Sequence, residues 1–242
     1  NGLSMSHCGV LAVCCFIGLP TIAVHAATQN VFLDFDTGTS RGEHVYTLAH
    51  RNTILAALEE DFAPWDFAFS HTTEFPEPSV LVRFNDGLNE GGRASDLDFR
   101  NLDLDGFATV DVDRILGCDG CPPNTEDNIV ALSASVAAHE VGDLAGLKHL
   151  DALGPIGFGL GPAGPDPIDL LPFYAGPVAA VETTQHIMAS PFTVGQTLDE
   201  SITDLHFGER AALKLEFAQV GFVSQESSAP NDTPATAQRL SL

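Results

Sequence analysis

The chain has 242 residues, of which 44% are hydrophobic, and a formal net charge of −23. This length suffices for one sizeable domain or two small ones, and the hydrophobic content predicts a folded core, which excludes a disordered chain. The negative charge repels phosphates and anionic lipid headgroups, so neither nucleic acid nor a membrane surface is an expected partner.

The N-terminal 26 residues contain no Lys, Arg, Asp or Glu and are predicted to be a signal peptide. Gly9 to Val24 form an apolar run that Pro20 interrupts, and Ala26 ends a pattern typical of a cleavage site. The run is short for a membrane span, so no span is expected in the mature chain. We expect an exported protein, secreted or extracellular, whose mature part begins after Ala26.

Alternating and apolar segments predict a mixed α/β fold. Strands are expected at residues 31–36, 67–71, 80–84 and 107–115, and helices within residues 44–62, 126–145 and 207–217. In residues 44–62 the apolar positions at helical spacing are Leu48, Ile54, Leu55, Leu58 and Phe62. Residues 86–106, rich in Gly, Asn and Asp, are predicted to be a long loop, and residues 150–180, dense in Gly and Pro, to be irregular.

The polar end of the chain, from residue 223 to 242, is predicted to be a linker or tail. Its Asn231 to Ala237 stretch resembles linkers that precede additional modules in exported bacterial proteins. The natural protein is therefore expected to continue past Leu242, and a further module would allow attachment to the cell surface.

Two cysteines, Cys118 and Cys121, are expected in the mature chain, because the other three lie in the signal peptide. In an exported protein this closely spaced pair most simply forms a disulfide. A zinc site would require a second pair of ligands nearby, and none is evident. A redox role has no βαβ context to support it.

Residues 138–149 carry the chemistry. On a helix, His139 and Asp143 lie one turn apart on the same face, and Glu140 is positioned to hold and deprotonate a water molecule bound to a metal. Gly146 then permits the helix to end in a sharp turn with positive φ, which lets His149 return to the same metal. Three protein ligands and one water form the open coordination of a catalytic zinc.

This stretch resembles the metzincin signature H-E-x-x-H-x-x-G-x-x-H, which a Met-turn follows in that clan. Residues 186–191 resemble such a turn, with Met188 located 39 residues after His149. Within the clan the chain is most similar to matrixin-like proteins of exported bacterial type, over about residues 30–220. Asp143 stands where the signature has its second histidine.

The resemblance implies a zincin fold, with a twisted mixed sheet of four to five strands, two long helices and a small irregular C-terminal subdomain that ends in a helix. The catalytic domain would span residues 27–222, divided into an upper part (27–149) and a lower part (150–222). His139 and His149 would bind zinc, Glu140 would be the general base, and Met188 would form a hydrophobic floor. The segment before the zinc helix would supply a strand that lines the cleft, against which an extended peptide could pair.

The replacement by Asp143 leaves two interpretations open. A carboxylate oxygen binds zinc at about the distance of a histidine nitrogen, but its side chain is shorter and its charge makes zinc less electrophilic. Asp143 is therefore either a third ligand or a degenerate position, and weaker or altered catalysis is expected rather than a clean loss of the site.

A calcium site is also considered. Asn101, Asp103, Asp105 and Gly106 resemble the first half of a calcium loop, but Val112 stands where its glutamate is expected. The resemblance to matrixins favours structural calcium in this region, whereas a solvated acidic loop is the simpler interpretation.

The sequence thus predicts a secreted zinc metalloendopeptidase that acts on a protein or peptide substrate. Asp143 motivates one alternative, a catalytically impaired pseudoprotease that acts as a binding module. The acidity and the tail motivate another, an extracellular structural protein that binds calcium. Substrate specificity, latency and oligomeric state do not follow from the sequence.

Overall fold

A computed structural model describes residues 28–36, 44–86, 91–98, 101–112, 115–117, 122–152, 185–189 and 205–220. This part of the chain is mixed α/β, as predicted. Its strands are β1 (Gln29–Asp34), β2 (Phe67–Ser70), β3 (Val80–Phe84), β4 (Gly91–Ala94) and β5 (Gly106–Asp111). Its helices are α1 (Leu48–Asp61), α2 (Glu126–Leu144) and α3 (Glu209–Val220), and a 3-10 turn (His149–Ala152) follows α2.

The five strands form one sheet in the order β2-β1-β3-β5-β4. The first four of these strands run parallel to one another, and β4 pairs antiparallel with β5 at the edge. The sheet thus has the expected size and the expected mixture of strand directions. Because β5 is paired on both sides, it is an inner strand.

The core lies on one face of the sheet. Val31 and Leu33 of β1 and Val80 and Val82 of β3 are buried, whereas the residues between them are partly exposed. Helix α1 packs against β2, α2 packs against β5 and β4, and the two helices pack against each other. The alternation of buried and partly exposed residues along β1 and β3 is the period of two from which strands are predicted.

Both long helices have a threonine as their N-cap residue. The side chain of Thr47 accepts a hydrogen bond from the backbone N–H of His50, and Thr125 does the same for Asn128. Such caps satisfy backbone donors that the first turn leaves unpaired. Leu48, the first of the apolar positions at helical spacing in α1, is 66% exposed because it opens the helix at the surface.

The region predicted as a loop contains a strand. Residues 91–94 form β4, although two of its four residues are glycines, which have low strand propensity. The strand expected at 107–115 ends at Asp111 and occupies the sheet interior. The edge strand beside α2 is β4.

Several predictions fall outside the described residues: the signal peptide, Cys118 and Cys121, most of the lower subdomain and the C-terminal tail. Among the helices in the described ranges, none combines the length and the apolar character that a bilayer crossing requires.

Candidate metal centre

The C-terminal half of α2 carries two of the predicted ligands. His139 and Asp143 lie one helical turn apart and are 3% and 9% exposed. Upstream on the same helix, Leu132 and Val136 are buried, so the helix enters the core and brings its polar residues with it. Burial of two titratable groups requires compensating partners or a ligand.

The turn after α2 has the predicted geometry. Gly146 has φ 89°, in the left-handed region that favours glycine. Its N–H donates to the carbonyl of Asp143, and the N–H of Leu147 donates to the carbonyl of Gly142, both at 2.9 Å. This pair of bonds is a Schellman motif, which ends the helix and reverses the chain. His149 thereby returns toward the helix.

The structure brings the three predicted ligands together. One ligand atom from each of His139, Asp143 and His149 lies within 4.8 Å of the other two. Nε2 of His139 is 3.9 Å from Oδ2 of Asp143, and the two imidazole rings have centroids 4.9 Å apart. Within the described ranges, these three side chains form the cluster of His, Cys, Asp or Glu residues that could hold a metal ion.

The hydrogen bond of His139 determines which ring nitrogen is available. Its Nδ1 lies 2.7 Å from the backbone carbonyl of Ile187, which can only accept, so Nδ1 carries the proton. Nε2 is then left with a lone pair, and it is the atom that faces Asp143. A carbonyl that holds the distal nitrogen of a histidine is the usual support for a metal ligand.

The donor set fits zinc in chemistry. Two imidazole nitrogens and one carboxylate oxygen are ligands that zinc accepts, and two atoms bound to a tetrahedral zinc lie roughly 3.3–3.6 Å apart. The separations of 3.9 Å and up to 4.8 Å are wider than that. The half-buried ring of His149, which is the least enclosed of the three side chains, has the most room to close the gap.

Glu140 is attached to the edge strand. It is 6% exposed, and the backbone N–H of Ala94 donates a hydrogen bond to its carboxyl. Its side chain also packs on Gly92, where an added Cβ would lie 2.6 Å from Oε1 of Glu140. The residue predicted to be the general base is therefore held between α2 and β4.

Burial shifts the pKa of each titratable group in this cluster toward its neutral form. Loss of solvation, with a smaller contribution from His149, lowers the pKa of His139 to about 4. Burial and the carboxyl of Asp143 raise the pKa of Glu140 to about 8. Burial and Asp151 raise the pKa of Asp143 to about 7, and burial lowers the pKa of His149. Titratable groups perturbed in this way cluster at functional sites.

Residues 185–189, in the segment predicted to be a Met-turn, lie under the helix. Met188 is 1% exposed, and its Sδ would be 2.9 Å from a Cβ added to Gly142, the residue before Asp143. Ile187 donates its N–H to the carbonyl of His206, so the segment is also attached to the chain that leads into α3. Nδ1 of His186 lies 2.7 Å from the carbonyl of Ala152, an ordinary polar contact.

An open cleft of about 420 Å³ leads to the cluster. Its lining includes Glu140, Asp143 and His149 from the motif and Gly92, Arg93 and Ala94 from β4. A larger cavity, of about 770 Å³, lies along α1 and α2 and contains none of the motif residues. The smaller cleft is therefore the one relevant to the cluster.

The residues considered for calcium hold a loop together. Oδ1 of Asp105 accepts the N–H of Ser79, Oδ1 of Asp103 accepts the N–H of Asp105, and Asn101 has φ 50°. Neither aspartate belongs to the metal-ligating group found within the described ranges. Calcium binding stays a prediction.

Sequence reasoning missed several residues around the cluster. They are Gly92 and Ala94, which hold Glu140, the carbonyl of Ile187, and the buried Asp151 with its partner Lys214. No local pattern identifies them, because each acts through a contact with a residue distant in sequence. Comparisons with protein-family models, with curated proteins and with solved structures found no match to this chain.

Proposed function

We propose that this chain is an exported zinc-dependent metalloendopeptidase of metzincin type. The observation that carries the proposal is the convergence of His139, Asp143 and His149, with Glu140 beside them in an open cleft. The sequence resemblance and this geometry are independent in part, because the motif does not by itself bring His149 back to α2.

The three ligands would hold the ion through Nε2 of His139, a carboxylate oxygen of Asp143 and a ring nitrogen of His149. Bound zinc supplies Lewis acidity at a carbonyl oxygen, lowers the pKa of a water molecule and favours the ionised form of nearby carboxyls. The hydrogen bond from His139 to Ile187 keeps its ring in the tautomer that can bind.

Glu140 would act as the general base. Its carboxylate accepts a proton from the attacking water and passes it to the nitrogen of the leaving amine. The N–H of Ala94 favours the ionised form of this carboxyl, which opposes the effect of burial. A base whose pKa lies near neutrality can both take and return a proton.

The substrate would be an extended peptide. Strand β4 is at the edge of the sheet, with β5 as its partner on one side, and it lines the cleft. A peptide that adds to this edge forms main-chain hydrogen bonds and passes Glu140. Strand β4 lies in the segment before α2, from which the family resemblance predicts such a strand.

The test compares purified, zinc-loaded wild-type protein with Glu140→Gln on a broad peptide library. We expect cleavage by the wild type and a loss of at least about 100-fold in Glu140→Gln, because general base catalysis contributes about 10²–10⁴-fold. Asp143→His is the matched variant that restores the family's ligand. Cleavage by Asp143→His but by neither other protein would contradict the proposal.

A second candidate is a pseudoprotease that binds without turnover. It is favoured by the pair of buried carboxyls, because Asp143 raises the pKa of Glu140 where a histidine would not. This function predicts little zinc in protein purified without added metal, and it predicts that Glu140→Gln leaves peptide binding unchanged. Metal analysis by mass spectrometry separates the two candidates.

A further inference from the structure

Asp151 is a buried acidic residue on the turn that carries His149. It is 4% exposed, although aspartate is rarely buried without a partner. Its Oδ2 accepts the backbone N–H of Lys148 at 2.8 Å, and its own N–H donates to the carbonyl of Lys148 at 2.8 Å. This reciprocal pair of bonds brackets His149 on both sides.

The partner of Asp151 comes from α3. Nζ of Lys214 lies 2.6 Å from the same Oδ2, and the lysine side chain is 33% exposed. Arg210, one turn earlier on α3, is 6% exposed, and Asp151 opposes the lowering of its pKa that burial causes. Lys214 and Arg210, both on α3, therefore provide two positive charges near the single carboxylate of Asp151.

This contact is close to the metal centre. The carboxyl of Asp151 raises the pKa of Asp143, so the two carboxyls interact electrostatically across the turn. In a chain with ten basic residues and thirty-three acidic ones, Lys214 places a cation where the carboxylates converge. A charge-assisted hydrogen bond in a part-buried setting is among the stronger contacts that could hold a turn.

We propose that Asp151 and Lys214 are positioning residues of the metal centre, through which α3 fixes the turn that presents His149 to the ion. The inference rests on the proposed function for the presence of the ion. It adds that His149, the least enclosed ligand, depends on an ion pair formed 65 residues further along the chain. Loss of the pair leaves the ligand present but mobile.

The experiment uses Lys214→Met, which keeps the apolar stem and removes the charge, and Lys214→Arg, which restores a cation. Arg51→Met is the matched control, because Arg51 of α1 forms an ion pair of 2.8 Å with Asp36 and its loss changes the net charge equally. Should Lys214→Met fold poorly, Asp151→Asn takes its place, since an asparagine oxygen can still accept the N–H of Lys148.

Two readouts are measured for each protein. The first is cobalt binding, which gives a visible absorption spectrum and an affinity, and the second is amide hydrogen exchange at Lys148 without metal. We expect Lys214→Met to lower cobalt affinity about 10–100-fold, to change the spectrum and to accelerate exchange. Lys214→Arg should recover both readouts, and Arg51→Met should match the wild type.

A Lys214→Met protein that equals Arg51→Met in spectrum, affinity and exchange overturns the inference and leaves the proposed function intact. A wild-type protein that binds neither cobalt nor zinc overturns the proposed function, and the inference falls with it. The two failures are thus distinguishable.

Discussion

Gly92 packs directly against Glu140, so closely that a Cβ atom at position 92 would lie 2.6 Å from Oε1 and 2.8 Å from Cγ of that glutamate. The same Cβ would be 2.5 Å from Cγ1 of Val136, one turn earlier on α2. Real Cβ atoms do not approach other atoms so closely, so only glycine allows β4 to approach the helix at this point. The absence of a side chain on the edge strand therefore determines where the carboxyl of Glu140 lies.

Gly92→Ala should displace this carboxyl. We expect a loss of about 1–3 kcal/mol in the free energy of unfolding, because the added methyl group overpacks the contact. Peptide hydrolysis should fall roughly 100-fold, since a displacement of about 1 Å costs that much at a catalytic group. Denaturant unfolding and peptide cleavage measure the two effects.

Ala94→Gly is the control for Gly92→Ala. It weakens the same strand but keeps the N–H that donates to Glu140, so its effect on hydrolysis should be no larger than its effect on the folded fraction. Equal loss of hydrolysis in both variants would show that strand stability, rather than the position of Glu140, is what matters.

Substitutions at Asp143 test its role as a ligand. Asp143→Ala should lower zinc affinity on the order of 100-fold or more, because two ligands replace three. Asp143→His should bind zinc at least as tightly as the wild type. Competition with a chromophoric chelator measures these affinities, and equal affinity in Asp143→Ala and the wild type would identify position 143 as degenerate.

Zinc should stabilise the folded protein by mass action. At a free zinc concentration 100 times Kd the stabilisation is about 2.7 kcal/mol, which corresponds to a rise of roughly 5–10 °C in Tm for a domain of this size. Differential scanning calorimetry with and without a chelator measures the shift. The double variant His139→Ala, His149→Ala should show none, and a shift that persists in it would indicate a different zinc site.

Asp61 should make stability depend on pH. Burial, and to a lesser extent Glu60, raises the pKa of Asp61 from 3.8 to about 7, so the folded state binds its proton more tightly than the unfolded state. The resulting stability is present at low pH and is lost as pH rises from about 4 to about 7. Asp61→Asn, which mimics the neutral form, should be more stable than the wild type at pH 8 by on the order of 1 kcal/mol, an effect that solvent screening reduces.

The two proteins should have equal stability near pH 4, where both carry a neutral side chain at position 61. Glu59→Gln, on an exposed position of the same helix, removes the same formal charge and is the matched control for that loss. Denaturant unfolding across this pH range decides the matter. A parallel offset between Asp61→Asn and the wild type at every pH would contradict the assignment.

The hydrophobic patterns predicted β1, β2 and β3 and located both long helices to within a few residues, because burial on one face imposes a period of two or 3.6. Strand β4 escaped detection. Its sequence, Gly91 to Ala94, has no apolar alternation, and it is a strand because β5 pairs with it and α2 packs on it. Residues 91–94 therefore form a strand because of their contacts with β5 and α2, not because of their own sequence pattern.

The sequence alone determined the local part of the candidate site. His139 and Asp143 share a helix face because four residues make about one turn, and Gly146 ends that helix because it can adopt positive φ. Both effects act within a few residues. Tertiary structure alone decided which groups support the site: the carbonyl of Ile187 lies 48 residues from His139, and Lys214 lies 63 residues from Asp151. Contacts over such separations follow from how the helices and strands pack. This packing produces no periodic sequence pattern at the residues that it brings together.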